Sequence, residues 1–133
     1  MFASFLSALR SLFARWRAHP HAPPPRVPAL EDARGRRYPV GAELIVGRDP
    51  NSGLVIDPAR FGPAAESVSA RHARVFRDPA LGYLVEDLDS LNGVWIGEAP
   101  THLHPLRDGD TVSLGEVRLT FRDSSQPRTE PRS

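Results

Sequence analysis

Ser69, His72 and either Asp87 or Asp89 are the residues whose types could support nucleophilic catalysis. A serine hydrolase links hydroxyl, imidazole and carboxylate in one hydrogen-bonded chain. Ser69 lies in Val68-Ser69-Ala70, without the flanking glycines of a nucleophile elbow. Its position three residues before its own candidate base gives no evidence of a productive geometry. Gly47-Arg48-Asp49-Pro50-Asn51-Ser52-Gly53 is bounded by glycines, but no Gly-Lys-Ser/Thr follows, so it is not a Walker loop. His102-x-His104 could turn two imidazoles to one side of a strand, yet no further ligand stands at metal spacing. Pro100 and Pro105 around that pair point to a loop. Cysteine is absent, which removes thiolate and disulfide chemistry. No catalytic group, metal or cofactor is expected.

Three polar motifs remain, in a fixed order: Gly47-Arg48, then Ser69-Ala70-Arg71-His72, then Asp87-Leu88-Asp89-Ser90-Leu91-Asn92-Gly93. The elements that must position them are strands. Leu44 to Val46, Leu54 to Ile56, Ala73 to Phe76, Tyr83 to Val85, Val94 to Ile96, Thr111 to Leu114 and Val117 to Phe121 are short apolar runs between turn signals. In the last run Val117, Leu119 and Phe121 alternate with Arg118 and Thr120, the pattern of a half-buried strand. Asp78-Pro79, Asn92-Gly93 and Asp108-Gly109 supply turns, and Asn92-Gly93 reads as a type I′ hairpin. No internal helix is convincing, and Asp57 to Val68 reads as a long loop. The expected fold is all-β, a two-sheet β-sandwich whose strand ends and loops carry the motifs.

The ends of the chain differ from this middle. Phe2, Phe5, Leu6, Leu9, Leu12, Phe13 and Trp16 fall within an arc of roughly 120° at helical spacing, flanked by Arg10 and Arg17. Residues 1–18 are therefore expected to form a short amphipathic helix. It is too short, and too interrupted by Arg10 and Arg15, to span a bilayer. Its arginines suit a membrane surface or a partner groove instead. Residues 19–28 read as a proline-rich linker, 26–123 as the sandwich domain and 124–133 as a disordered tail. All 17 basic residues are arginine, a bias that points to a GC-rich bacterial genome. Residues 31–133 hold thirteen of them against 16 acids, so the domain itself is not a basic surface for nucleic acid.

The three motifs, with Leu106-Arg107-Asp108-Gly109-Asp110-Thr111-Val112-Ser113-Leu114-Gly115 behind them, resemble those of the forkhead-associated (FHA) domain family. The resemblance covers roughly residues 26–123. It implies a module that binds phosphothreonine in a partner protein and performs no chemistry. By this resemblance Arg48 reaches the phosphate, with a planar fork suited to paired charge-assisted bonds. Ser69 adds a hydroxyl donor, Arg71 a second positive charge, and Asn92 holds the partner's main chain. Gly47 and Gly93 give backbone freedom, and His72 braces the loop of Ser69. Without the resemblance, Arg48 and Arg71 also read as solvated charges, and Ser69 as a turn-closing hydroxyl.

Two positions depart from the family's fullest pattern: Ala70 stands where asparagine is frequent, and Leu91 where threonine or arginine is. They give weight to a second reading, a phosphate-independent structural or assembly protein. The expected place is the cytoplasm, with residues 2–17 available to associate with the inner face of a membrane. Thr129 in the tail is a candidate site of phosphorylation that the domain itself could bind.

Overall fold

The computed structural model describes residues 27–125. The expected helix of residues 1–18 and most of the linker and tail lie outside them. Eleven strands run in chain order as β1 (Ala29–Glu31), β2 (Arg37–Pro39), β3 (Glu43–Gly47), β4 (Leu54–Val55), β5 (Ala73–Asp78), β6 (Gly82–Asp87), β7 (Val94–Ile96), β8 (Ala99–Thr101), β9 (Leu103–Pro105), β10 (Thr111–Leu114) and β11 (Val117–Arg122). They form one sheet of order β2-β1-β11-β10-β7-β8 and a second of order β4-β3-β5-β6-β9. Only β3 and β4 pair in parallel; the other neighbours are antiparallel.

The period-two pattern decides which side chains enter the core. In β11, Val117, Leu119 and Phe121 are buried while Arg118 is exposed. Across the sandwich Val46, Val75 and Val85 come from the second sheet, and Tyr83 meets Phe121 with ring centroids 5.6 Å apart. Each large side chain removed from water here contributes about 1.5–3 kcal/mol before conformational entropy is counted.

The seven strand runs read from the sequence are present, and four short strands join them. β2 and β8 are the edges of the first sheet and β9 is an edge of the second. Their prolines, Pro39, Pro100 and Pro105, are tolerated there because an edge position can do without one ladder donor. The expected loop around His104 is thus strand β9, with His104 opposite Val85.

The long loop from Asp57 to Val68 is also corrected. It contains helix α1 (Pro58–Phe61) and a 3-10 helix over Gly62–Ser67. Asp57 caps α1 by accepting from the Arg60 amide at 2.8 Å, and Pro58 occupies the first turn, where its missing N–H costs nothing. Finally, Asn92-Gly93 is not a hairpin turn. β6 and β7 belong to different sheets, so the segment crosses between layers. Gly93 has φ +82°, whereas Asn92 does not enter the left-handed region that a type I′ turn requires of both residues. Among the described residues no helix is long and apolar enough to cross a membrane.

Candidate functional site

The antiparallel order β3-β5-β6 brings the end of β3, the start of β5 and the end of β6 to one end of the second sheet. Gly47 and Arg48, Ser69 to His72, and Asp87 to Gly93 therefore meet at the same end of the sandwich. The first two loops are stitched by main-chain bonds, from Arg48 N–H to the Ser69 carbonyl at 3.1 Å and from Asp49 N–H to the Ala70 carbonyl at 3.0 Å. A Cβ on Gly47 would stand 2.0 Å from the Ala70 oxygen, so only glycine permits this approach.

His72 joins the pieces. It is wholly buried. Its N–H donates to the Val46 carbonyl, and its carbonyl accepts from the Leu88 N–H, both at 2.9 Å. The ring accepts the Ser69 N–H on Nδ1 at 3.0 Å and faces the Gly93 carbonyl with Nε2 at 2.8 Å. Accepting at Nδ1 places the imidazole proton on Nε2, which then donates to Gly93. One side chain thus fixes both the Ser69 loop and the crossing segment.

The crossing segment has its own scaffold. Asp87 Oδ1 accepts from the Ser90 N–H at 3.1 Å, and Ser90 Oγ accepts from the Gly93 N–H at 2.9 Å. Asp89 between them holds φ +61°, the one left-handed non-glycine residue among those described. Aspartate is among the few side chains that tolerate this conformation. Ser69 Oγ accepts the Leu91 N–H at 3.0 Å, which leaves the hydroxyl proton free to donate outward.

Arg48, Arg71 and Asn92 are exposed, and Ser69 is half-buried. Neither Arg48 nor Arg71 has a carboxylate within salt-bridge distance among the described residues. Asn92 uses one amide hydrogen on the Ser67 carbonyl at 2.8 Å, leaving the second hydrogen and Oδ1 available. Leu91 lies on the rim, 88% exposed, and Trp95 Nε1 points to the Asn92 carbonyl at 3.4 Å. Such an arrangement can receive a dianion through guanidinium and hydroxyl donors and hold an extended peptide through the asparagine amide.

Ser67 and Gly115 were not singled out from the sequence, yet both position Asn92. Ser67 Oγ donates to the Ala64 carbonyl at 2.6 Å and accepts from the Glu116 N–H at 2.8 Å. The Gly115 N–H donates to the Gly93 carbonyl at 3.1 Å. A Cβ on Gly115 would lie 2.6 Å from both Ser67 oxygens, and its φ is +57°. Nothing local marks these contacts; the one signal in the sequence is the glycine closing Leu114-Gly115 after a strand.

The FHA-domain family profile matches residues 44–115, more than half of the chain. The oxoglutarate dehydrogenase inhibitor of Corynebacterium jeikeium is 35% identical over 93 residues, covering 69% of this chain and 59% of the relative. The glycogen accumulation regulator GarA of Mycolicibacterium smegmatis is 36% identical over 75 residues, 56% of this chain and 42% of the relative. The chain thus spans about half the length of the curated relatives it matches. Among solved structures, an FHA domain described by its phosphothreonine-dependent interactions superposes with TM-score 0.61 at 28% identity, covering 77% of this chain and all of that one. EmbR of Mycobacterium tuberculosis, in complex with a low-affinity phosphopeptide, gives TM-score 0.63 at 26% identity over 96% of this chain and 31% of its own. On this sequence match and this fold, the chain belongs to the FHA-domain family.

Proposed function

We propose that the loop end bearing Arg48, Ser69, Arg71 and Asn92 binds a phosphothreonine of a partner protein, placing the chain downstream of a Ser/Thr kinase as an adaptor. Arg48 pairs two phosphate oxygens, Ser69 donates its free hydroxyl proton to a third, and Arg71 adds charge from the same loop. Asn92 holds the peptide main chain with its unused amide groups. The observation that carries this reading is that the loops of the Ser69 hydroxyl, which already accepts from Leu91, also carry two exposed arginines with no ion pair among the described residues. Phosphate presents three acceptor oxygens and about −1.5 to −2 charges, more than a glutamate offers, so the site separates phosphothreonine from acidic side chains. A fluorescence-anisotropy titration with a degenerate phosphothreonine peptide library tests it. Binding that needs the phosphate and disappears in Arg48→Ala supports the reading; a folded wild type that binds no phosphopeptide sinks it.

The exposed Leu91 supports a second reading, constitutive protein contact through the same end. Binding of a native partner that survives phosphatase treatment would favour it. The relatives' names further suggest a metabolic enzyme as partner, with oxoglutarate dehydrogenase the first to test by co-purification. Association of residues 2–17 with anionic membranes is a separate proposal, carried by the apolar stripe and its flanking arginines. Co-sedimentation of the peptide 1–18 with anionic vesicles tests it, and absence of binding removes it.

A further inference from the structure

A cavity of about 280 Å³ opens beside the phosphothreonine end, between the β1–β2 turn, the α1 and 3-10 helices, and the β10–β11 turn. Phe61, Ala64 and Val117 give it an apolar lining, and Arg34, Arg60 and Arg118 bring three guanidiniums to it. Two acids also line it, and they differ in availability. Asp32 is consumed locally: Oδ1 accepts from the Arg34 and Arg36 amides at 2.9 and 3.0 Å, and Oδ2 from the Tyr38 hydroxyl at 2.8 Å. Glu116 is exposed and has no salt bridge among the described residues. Arg60 is engaged with Asp57 at 3.5 Å. Arg34 and Arg118 form no ion pair within 4 Å among the described residues, Arg34 acting on the Asp32 carboxylate only at longer range, so they are the cations most open to a ligand.

The cavity is linked to the proposed peptide site through Ser67. Ser67, at the end of the 3-10 helix, accepts from Asn92 with its carbonyl and from the Glu116 N–H with its hydroxyl. One turn of chain thus forms the wall of the cavity and the support of Asn92. A peptide held by Asn92 needs only to cross the Ser67–Glu116 ridge to enter.

We propose that this cavity is a second recognition site, taking an acidic and apolar segment that flanks the phosphothreonine in the same partner. Apolar side chains rest on Phe61, Ala64 and Val117, and carboxylates meet Arg34 and Arg118. The proposal rests on the phosphothreonine reading for its partner, and on its own geometry for its chemistry. Two contacts at one end of the domain select partners by a neighbouring segment as well as by the phosphate, because the second contact is made at high effective concentration.

The test uses phosphothreonine library peptides extended on either side by glutamate alternating with leucine or phenylalanine. Controls are the same peptides with lysine for glutamate, and the unextended peptide. On the wild type one of the glutamate extensions is expected to tighten binding about tenfold over its lysine counterpart, the scale of two partly exposed charge pairs. Arg34→Glu combined with Arg118→Glu is expected to abolish that difference and to leave the unextended phosphopeptide's affinity unchanged. Equal affinity for glutamate and lysine extensions on both sides, or a preference that survives the double variant, overturns the proposal. If the unextended phosphopeptide does not bind, the phosphothreonine reading fails separately. The cavity is then judged by amide NMR shifts with the unphosphorylated glutamate peptide. Shifts at Ala64 and Val117 that the lysine peptide does not produce sustain it, and their absence overturns it.

Discussion

Arginines at the loop end and arginines on the outer faces of the sheets are treated in opposite ways. On the first sheet Glu31 is held between Arg37 at 2.9 Å and Arg122 at 3.3 Å, which ties β2, β1 and β11 across one face. On the second sheet Arg74 bridges Glu43 and Glu86 and lies over the Phe76 ring at 3.8 Å from its centroid. At the loop end Arg48 and Arg71 stand in solvent without an acidic partner among the described residues. The same residue type serves as a clamp in one region and as an open cation in the other. What separates them is their neighbours: the loop end spends its carboxylates on its own backbone, as Asp49 does on the Asn51 amide and Asp87 on the Ser90 amide. Those bonds order the loops while the two guanidiniums form no ion pair among the described residues, a condition under which an anion binds with little reorganisation.

The largest effect on this contrast should come from His72, which creates the rigidity. His72→Ala leaves the Ser69 N–H and the Gly93 carbonyl without their ring partner and opens a cavity in a fully buried place. A loss of about 3–5 kcal/mol in urea unfolding is expected, together with loss of phosphopeptide binding. Arg48→Ala should separate the two properties. Stability is expected to stay within about 0.5 kcal/mol of wild type, while binding falls by about 2–4 kcal/mol in anisotropy titrations. Arg122→Ala is its mirror: binding is retained, and unfolding registers the loss of one partly exposed ion pair, about 0.5 kcal/mol. If Arg122→Ala weakened phosphopeptide binding as much as Arg48→Ala, the division between clamp and open cation would fail.

Much of the framework that sets up this contrast can be read in the sequence, and what cannot has identifiable causes. Strands such as β11 declare themselves because one face is dry and the other wet, so alternation survives in the residue order. β2, β8 and β9 do not. Three residues are too few to show a period, and Pro39, Pro100 and Pro105 argue against a strand unless it is known to lie at an edge. Edge position is a property of the assembled sheet. The α1 cap was more accessible: Asp57-Pro58 is a helix-start signal that a single-turn helix lacks the periodicity to reinforce. At the site, the order of motifs marks Arg48, Ser69 and Asn92 as a group. The Ser67 bonds to Asn92 and Glu116 join residues far apart in the chain, each with a main-chain atom on one side. Residue types carry little trace of such contacts.

Ser69→Ala sharpens the comparison from inside the site. The substitution removes the acceptor of the Leu91 N–H and the outward donor together. Because Leu91 is exposed, water can replace the lost acceptor, and unfolding should change by about 1 kcal/mol or less. The lost donor to a phosphate oxygen has a charged acceptor and should cost about 1.5–3 kcal/mol of binding. Binding that falls no more than stability would reduce Ser69 to the turn-closing hydroxyl that its sequence context also allows.

The smallest expected effect belongs to the clamp and is read by pH. The Arg37 hydrogen bond, aided by Arg122 and opposed by desolvation, holds the Glu31 carboxyl below its ordinary value of 4.5. A carboxyl depressed in the folded state stabilises that state above its unfolded pKa, and the contribution disappears as pH falls through the lower folded value. Glu31→Gln should therefore lose a few tenths of a kcal/mol at neutral pH. Its stability should also fall less steeply than wild type between about pH 5 and the acid limb. Phosphopeptide affinity at neutral pH should be the same in both proteins, since Glu31 lies outside the loops that meet Arg48. Parallel stability curves for the two proteins through the acid range would mean that the Arg37–Glu31–Arg122 contact is geometric only. A measurable consequence of arginine charge would then be sought at the loop end rather than in this clamp.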